Sequence, residues 1–110
     1  MKKSKISFEI ELDENNLPQN ISLNTDDGQL NNVKVKSLLI SAWDAKTKET
    51  LRIDLWGKDM KVNEMMIMYH QTLISMANSL ERATNEGELA GALRDYCTFF
   101  ADQSGIINPK

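Results

Sequence analysis

The sequence predicts an α+β fold: a small antiparallel β-sheet of three or four strands, with a C-terminal antiparallel helix pair packed on one of its faces. Three observations predict it. Residues 5–12, 20–25 and 51–56 alternate apolar with polar side chains, the period-two pattern of strands with one buried face. Two longer segments beyond residue 60 repeat apolar residues with a period near 3.6. The link between those two segments is short, which makes antiparallel neighbours of them.

In chain order, KISFEIEL (5–12) places Ile6, Phe8, Ile10 and Leu12 on one side and Lys5, Ser7, Glu9 and Glu11 on the other. DENNLPQN then supplies turn formers. A second strand over 20–25 presents Ile21 and Leu23 against Ser22 and Asn24, so the two strands read as an antiparallel hairpin with a long loop. Asp26-Asp27-Gly28 ends that strand. Residues 33–44, VKVKSLLISAWD, admit two readings. Val35, Leu38, Leu39, Ala42 and Trp43 complete a helical series. The β-branched Val33, Val35 and Ile40 argue for a strand that turns through AKTKET into LRIDLW. The helical reading is narrowly preferred.

Leu51–Trp56 carries the chain out of its β half. Leu51, Ile53 and Leu55 alternate with Arg52, Asp54 and Trp56, and Gly57 breaks the strand. A helix then starts near Asp59 or Asn63, both good N-caps, with Glu64 in its first turn. Met65, Tyr69, Thr72, Leu73, Met76 and Leu80 form its apolar stripe, which ends near Ala83. Asn85 with Glu88 resembles a capping box for a last helix whose stripe is Leu89, Leu93, Tyr96, Cys97 and Phe100, and Gly105 closes it. The 110 residues fit one domain and one core.

Composition excludes some classes of function and leaves others. A net charge of −3 argues against a nucleic-acid partner, which calls for a basic face. No run is long enough to insert in a membrane, and the charged N-terminal stretch does not read as a signal peptide. A single cysteine, Cys97, rules out an internal disulfide and fits a reducing, cytoplasmic setting. No glycine-rich phosphate loop, metal-ligand spacing or paired-carboxylate motif is present, so no cofactor is expected. The lone histidine, His70, has only Cys97 on the neighbouring helix as a conceivable nucleophile. Cys97 falls on the apolar stripe, where a free cysteine behaves as a small hydrophobe. The methionines crowded between Met60 and Met68 admit an adaptable binding surface, with a methionine-rich packed core the commoner reading.

Trp56 resists the bland reading. If Leu51, Ile53 and Leu55 point inward, Trp56 lies on the polar sheet face with Arg52 and Asp54. A large aromatic there either packs under a loop or anchors a partner. Arg52 has a structural reading as well, pairing with Asp54 or across the sheet with Glu9 or Glu11.

The string LRIDLWGKDM (51–60), with Val62, Glu64-Met65, His70-Gln71-Thr72-Leu73, Glu81-Arg82-Ala83-Thr84 and Arg94-Asp95-Tyr96-Cys97, resembles the gliding-motility protein GldC family of the Bacteroidetes. The similarity extends to FEIELDEN (8–15) and Trp43-Asp44. Gly57 stands where the family pattern suggests a polar residue such as threonine, and Asn63 where it suggests an acidic one. The resemblance implies a small accessory protein of the gliding machinery with no assigned enzymatic activity. The expectation is therefore a non-enzymatic cytoplasmic adaptor that binds a protein partner through Trp56, Arg52 and Asp54. The alternative is a small enzyme or ligand-binding domain that uses His70 or Cys97.

Overall fold

The computed structural model describes residues 2–106. It has the expected α+β composition, with antiparallel strands followed by two helices. The chain divides into two compact units, residues 1–60 and 61–110.

The first unit holds β1 (Ile6–Leu12), β2 (Pro18–Thr25), β3 (Val33–Val35), β4 (Ser37–Asp44) and β5 (Glu49–Trp56). β1, β2 and β3 form one antiparallel sheet in that order. Phe8 pairs with Leu23 and Ile10 with Ile21; Ile21 and Leu23 pair in turn with Val35 and Val33. Directly opposed residues share a face, so these apolar side chains form one side of the sheet. Ile21, on the central strand, is 2% exposed, whereas Ile6 on the edge strand is 66% exposed.

The strands are divided between two sheets. Residues 51–56 do not join β1 and β2; β5 pairs with β4 in a separate two-stranded sheet. The reason is proximity along the chain: a four-residue loop brings Asp44 opposite Glu49, and closing so short a loop costs little entropy. The same pairing overturns the narrow preference for helix over 33–44. Those residues are β3 and β4. The helical series was complete, but a ready hairpin partner and the β-branched residues decided the outcome.

Each hairpin loop of this unit is tied by one aspartate. The Asp13 carboxylate accepts the N–H groups of Asn15 (2.8 Å) and Leu17 (3.0 Å). Asp27 accepts the Thr25 hydroxyl (2.6 Å) and the Gln29 N–H (3.0 Å). Asp44 accepts the N–H of Lys46 (2.9 Å). Residues in the left-handed region, Asn16, Asn32 and Lys48, with Gly28, complete the turns.

The second unit holds α1 (Val62–Thr84) and α2 (Gly87–Ser104). They run antiparallel: His70 stacks on Phe100, and Asn78 accepts from Arg94. α1 starts later than Asp59 and earlier than Asn63. Its N-cap is Lys61, whose N–H donates to the Glu64 carboxylate at 3.0 Å. Asn85 does not cap α2. It ends α1 in the left-handed conformation, φ 60°, with its N–H on the Glu81 carbonyl. Glu86 is the N-cap of α2, and its N–H donates to the Thr84 hydroxyl (3.2 Å). Gly105, φ 78°, closes α2 as expected.

The helix pair buries small residues fully and leaves the long Leu73, Leu80, Leu93 and Phe100 half-buried. Its buried residues are Ala77, Ala90, Cys97 and Ala101, whereas Tyr69, Met76, Leu89 and Tyr96 are exposed. Met65, Met66 and Met68 are half-buried. No helix among the described residues is long and apolar enough to cross a membrane.

Candidate functional site

The β4–β5 register sorts every side chain of this ribbon to a face. One face carries the pairs Leu38–Leu55, Ile40–Ile53 and Ala42–Leu51. The other carries Ser37–Trp56, Leu39–Asp54, Ser41–Arg52 and Trp43–Thr50. Trp56, Asp54 and Arg52 therefore do share a face, as the alternation required. The structure adds Trp43 and Leu39 to it. The helical reading of 33–44 puts Trp43 on an apolar stripe, and only the strand register reveals that it stands at one end of the face with Trp56 at the other. Trp56 is 56% exposed and Trp43 is 65% exposed.

Two expectations about this face need correction. Arg52 lies opposite Ser41, and its sheet does not contain Glu9 or Glu11, so it cannot pair with them across a ladder. Among the described residues neither Arg52 nor Asp54 makes an ion pair or side-chain hydrogen bond. The face opposite to Trp56 is also not uniformly buried. Leu38 is buried and Leu55 half-buried, but Leu51 and Ile53 are exposed. Burial fades from the Leu38–Leu55 end towards the hairpin loop because a two-stranded ribbon covers neither of its own faces.

The base of the ribbon is well tied. Gly57 is buried, and its N–H donates to the Lys36 carbonyl at 2.6 Å. A β-carbon on Gly57 would lie 3.4 Å from that carbonyl oxygen, an ordinary contact, and 3.0 Å from the Asp59 carboxylate, a side-chain tip that can swing aside. The Lys58 ammonium reaches Asp13 at 3.1 Å. The Leu17 N–H, followed by Lys58 and Asn15, holds the Asp13 carboxyl below its ordinary value of 3.8.

The second candidate lies between α1 and α2. His70, Ile74, Asn78, Arg94, Cys97, Thr98 and Ala101 line one groove, so the structure does bring His70 and Cys97 together. The imidazole lies against the Phe100 ring, and no described residue hydrogen-bonds it. Cys97 is 2% exposed. Arg94 is committed to Glu81 (2.8 Å) and Asn78. A nucleophile–base pair needs a hydrogen bond between the two and a third group to orient the base, and neither is present among the described residues. No three His, Cys, Asp or Glu side chains among the described residues converge on a point that would hold a metal ion.

Comparison with known proteins gives a family match. The family model described as "Gliding motility-associated protein GldC-like" matches residues 18–106. No curated protein and no solved structure matches significantly. The matched span begins at the first residue of β2 and takes in the ribbon and both helices, with β1 outside it. The chain belongs to the GldC-like, gliding motility-associated family.

Proposed function

We propose that this chain is a non-enzymatic adaptor of the gliding machinery, working in the cytoplasm and binding another protein through the Trp56 face of the β4–β5 ribbon. One observation carries the reading: the register aligns Trp43, Arg52, Asp54 and Trp56 on one face, with both tryptophans more than half exposed. Tryptophan and arginine are the side chains most enriched at binding hot spots. Arg52 and Asp54 have no competing partner among the described residues, so both charges are available to fix orientation. Membership of the family supplies the process, and the single buried cysteine fits a reducing compartment.

The test is affinity capture from a gliding bacterium, with the native chain set beside Trp56→Ala and Trp43→Ala. The native chain should retain a defined protein. Trp56→Ala should weaken that binding by about 2 kcal/mol or more while costing little stability. Equal capture by all three chains would place the contact on another surface. A Trp56→Ala chain that unfolds readily, yet binds normally once folded, would make Trp56 a structural residue.

A further inference from the structure

The ribbon has edges as well as faces, and the edge of β5 is open. β5 is hydrogen-bonded to β4 on one side only, and no other described residue hydrogen-bonds the backbone of Arg52 or Asp54. Which of its backbone groups face that edge follows from the base of the ribbon. The Gly57–Lys36 hydrogen bond extends the β4–β5 register by one rung and marks that rung as a hydrogen-bonded pair. Such pairs alternate along an antiparallel ladder. Leu55, Ile53 and Leu51 therefore direct their N–H and C=O groups at β4. The Ser37 hydroxyl bonded to the Leu55 carbonyl (2.9 Å) agrees with this. Thr50, Arg52, Asp54 and Trp56 direct theirs outward.

The sequence along this edge, Leu51-Arg52-Ile53-Asp54-Leu55, is chemically palindromic, with opposite charges related by the centre. We infer that β5 pairs edge to edge with β5 of a second copy of this chain, antiparallel, about a two-fold axis at Ile53. In that register Arg52 exchanges both backbone hydrogen bonds with Asp54 of the second copy, and the reverse pair does the same. The same two pairs set opposite charges side by side, Ile53 meets Ile53, and Leu51 meets Leu55. The parity is consistent: outward-facing residues form the hydrogen-bonded pairs, and Ile53 forms the close non-bonded pair on the axis.

Charge selects this register. Shifting the axis by one residue either way sets Arg52 against Arg52, or Asp54 against Asp54. β4 also has an open outer edge, but no residue from Ser37 to Trp43 is charged, so charge selects no register there. β1 offers a further long open edge, at one side of the three-stranded sheet. Its best two-fold register, centred on Phe8, pairs Lys5 with Glu11 but sets Glu9 against Ser7, so one glutamate per copy stays unneutralised. The β5 register leaves no charge of the central five residues unmatched. The result is a four-stranded sheet with the Trp56 faces of both copies on one side, in which the Arg52–Asp54 pairs take up the charges that would otherwise orient a different protein.

The experiment uses the purified full chain alone, so it is separate from the capture test. Sedimentation equilibrium should show a dimer in reversible exchange with monomer, since an edge contact is small. Arg52→Asp or Asp54→Arg should weaken association by about tenfold or more, because each places like charges together twice. The double exchange, Arg52→Asp with Asp54→Arg, should return it to within about threefold of the native value, because opposite charges again face each other. Ile53→Cys should form a disulfide-linked dimer under mild oxidation, since the axial pair lies within disulfide range, whereas Thr50→Cys should not. A native chain that remains monomeric to about 1 mM overturns the inference. So does a dimer that is indifferent to the single reversals, or equal cross-linking at positions 50 and 53.

Discussion

The two halves of this chain bury different things for different reasons. In the β unit, burial follows position: Ile21 on the central strand is sealed, and Ile6 on the edge strand, the same residue type on the same face, is open. In the helix pair, burial follows size. Ala77, Ala90, Cys97 and Ala101 are buried, whereas long side chains such as Leu73, Leu93 and Phe100 are only half-buried and Tyr69, Met76 and Tyr96 are exposed. The lesson is that apolar periodicity identifies a face but does not say how near the neighbour on that face will come. How many strands flank a strand is one part of its cover; Leu38, on a strand with a single neighbour, is buried at the tied end of the ribbon. A helix pair that approaches through alanines leaves its larger residues at the margins.

Ile21→Ala should cost about 3 kcal/mol in denaturant unfolding, the usual range for a sealed aliphatic side chain, and Ile6→Ala less than about 1 kcal/mol. Equal costs would mean that strand position does not govern burial in this unit. The seam offers the converse test. Ala90→Leu should destabilise by about 1–3 kcal/mol, because added methylenes have no room where two helices meet through small residues. No loss of stability there would show that the helices stand further apart. Cys97→Ala should cost about 1 kcal/mol through a small cavity. A thiol reagent should label native Cys97 only as fast as the helix pair opens, and rapid labelling would contradict its burial.

The smallest expected effect separates the units by acid. Three loops of the β unit hang on ionised aspartates, whereas the inter-helix turn hangs on the Thr84 hydroxyl and the Asn85 backbone. Asp13, Asp27 and Asp44 are all held below 3.8, through the Leu17 N–H, the Thr25 hydroxyl and the Lys46 N–H respectively. A carboxyl group with a folded value below its unfolded one stabilises the fold fully above about pH 5. That contribution is lost as pH falls through the lowered value. Asp13→Asn should therefore narrow the difference in stability between pH 7 and pH 3. An unchanged difference would remove Asp13 from the account.

Much of this was legible in the sequence. The alternation of KISFEIEL and LRIDLW located β1 and β5, and the 3.6 periods located both helices. What failed were choices that depend on the partner. Residues 33–44 carry a complete helical series, and only the availability of residues 49–56 as a hairpin mate makes them strands. Asn85 carries a capping signal that a start and a stop share, and the left-handed stop won because two helices are joined there by two residues. The site was half legible. Period two alone aligned Arg52, Asp54 and Trp56. Trp43 needed the register, and no single strand's pattern contains it. The groove that unites His70 and Cys97 was foreseeable from two adjacent helices, and the ring of Phe100 against the imidazole was not.

The attachment of the ribbon has a mechanical consequence. β4 and β5 are tied to the rest of their unit at one end, where Lys58 donates to the Pro18 carbonyl and pairs with Asp13, and run eight residues each to the loop at 45–48. At about 3.3 Å per residue, that is a lever of roughly 26 Å. A rotation of about 10° at the Gly57 end displaces the Trp43 end by about 4–5 Å, close to the spacing of neighbouring strands. Two indoles on one rigid arm, one near the fulcrum and one near the tip, would therefore register the same small turn very differently: Trp56 hardly moves, and Trp43 travels a full strand width.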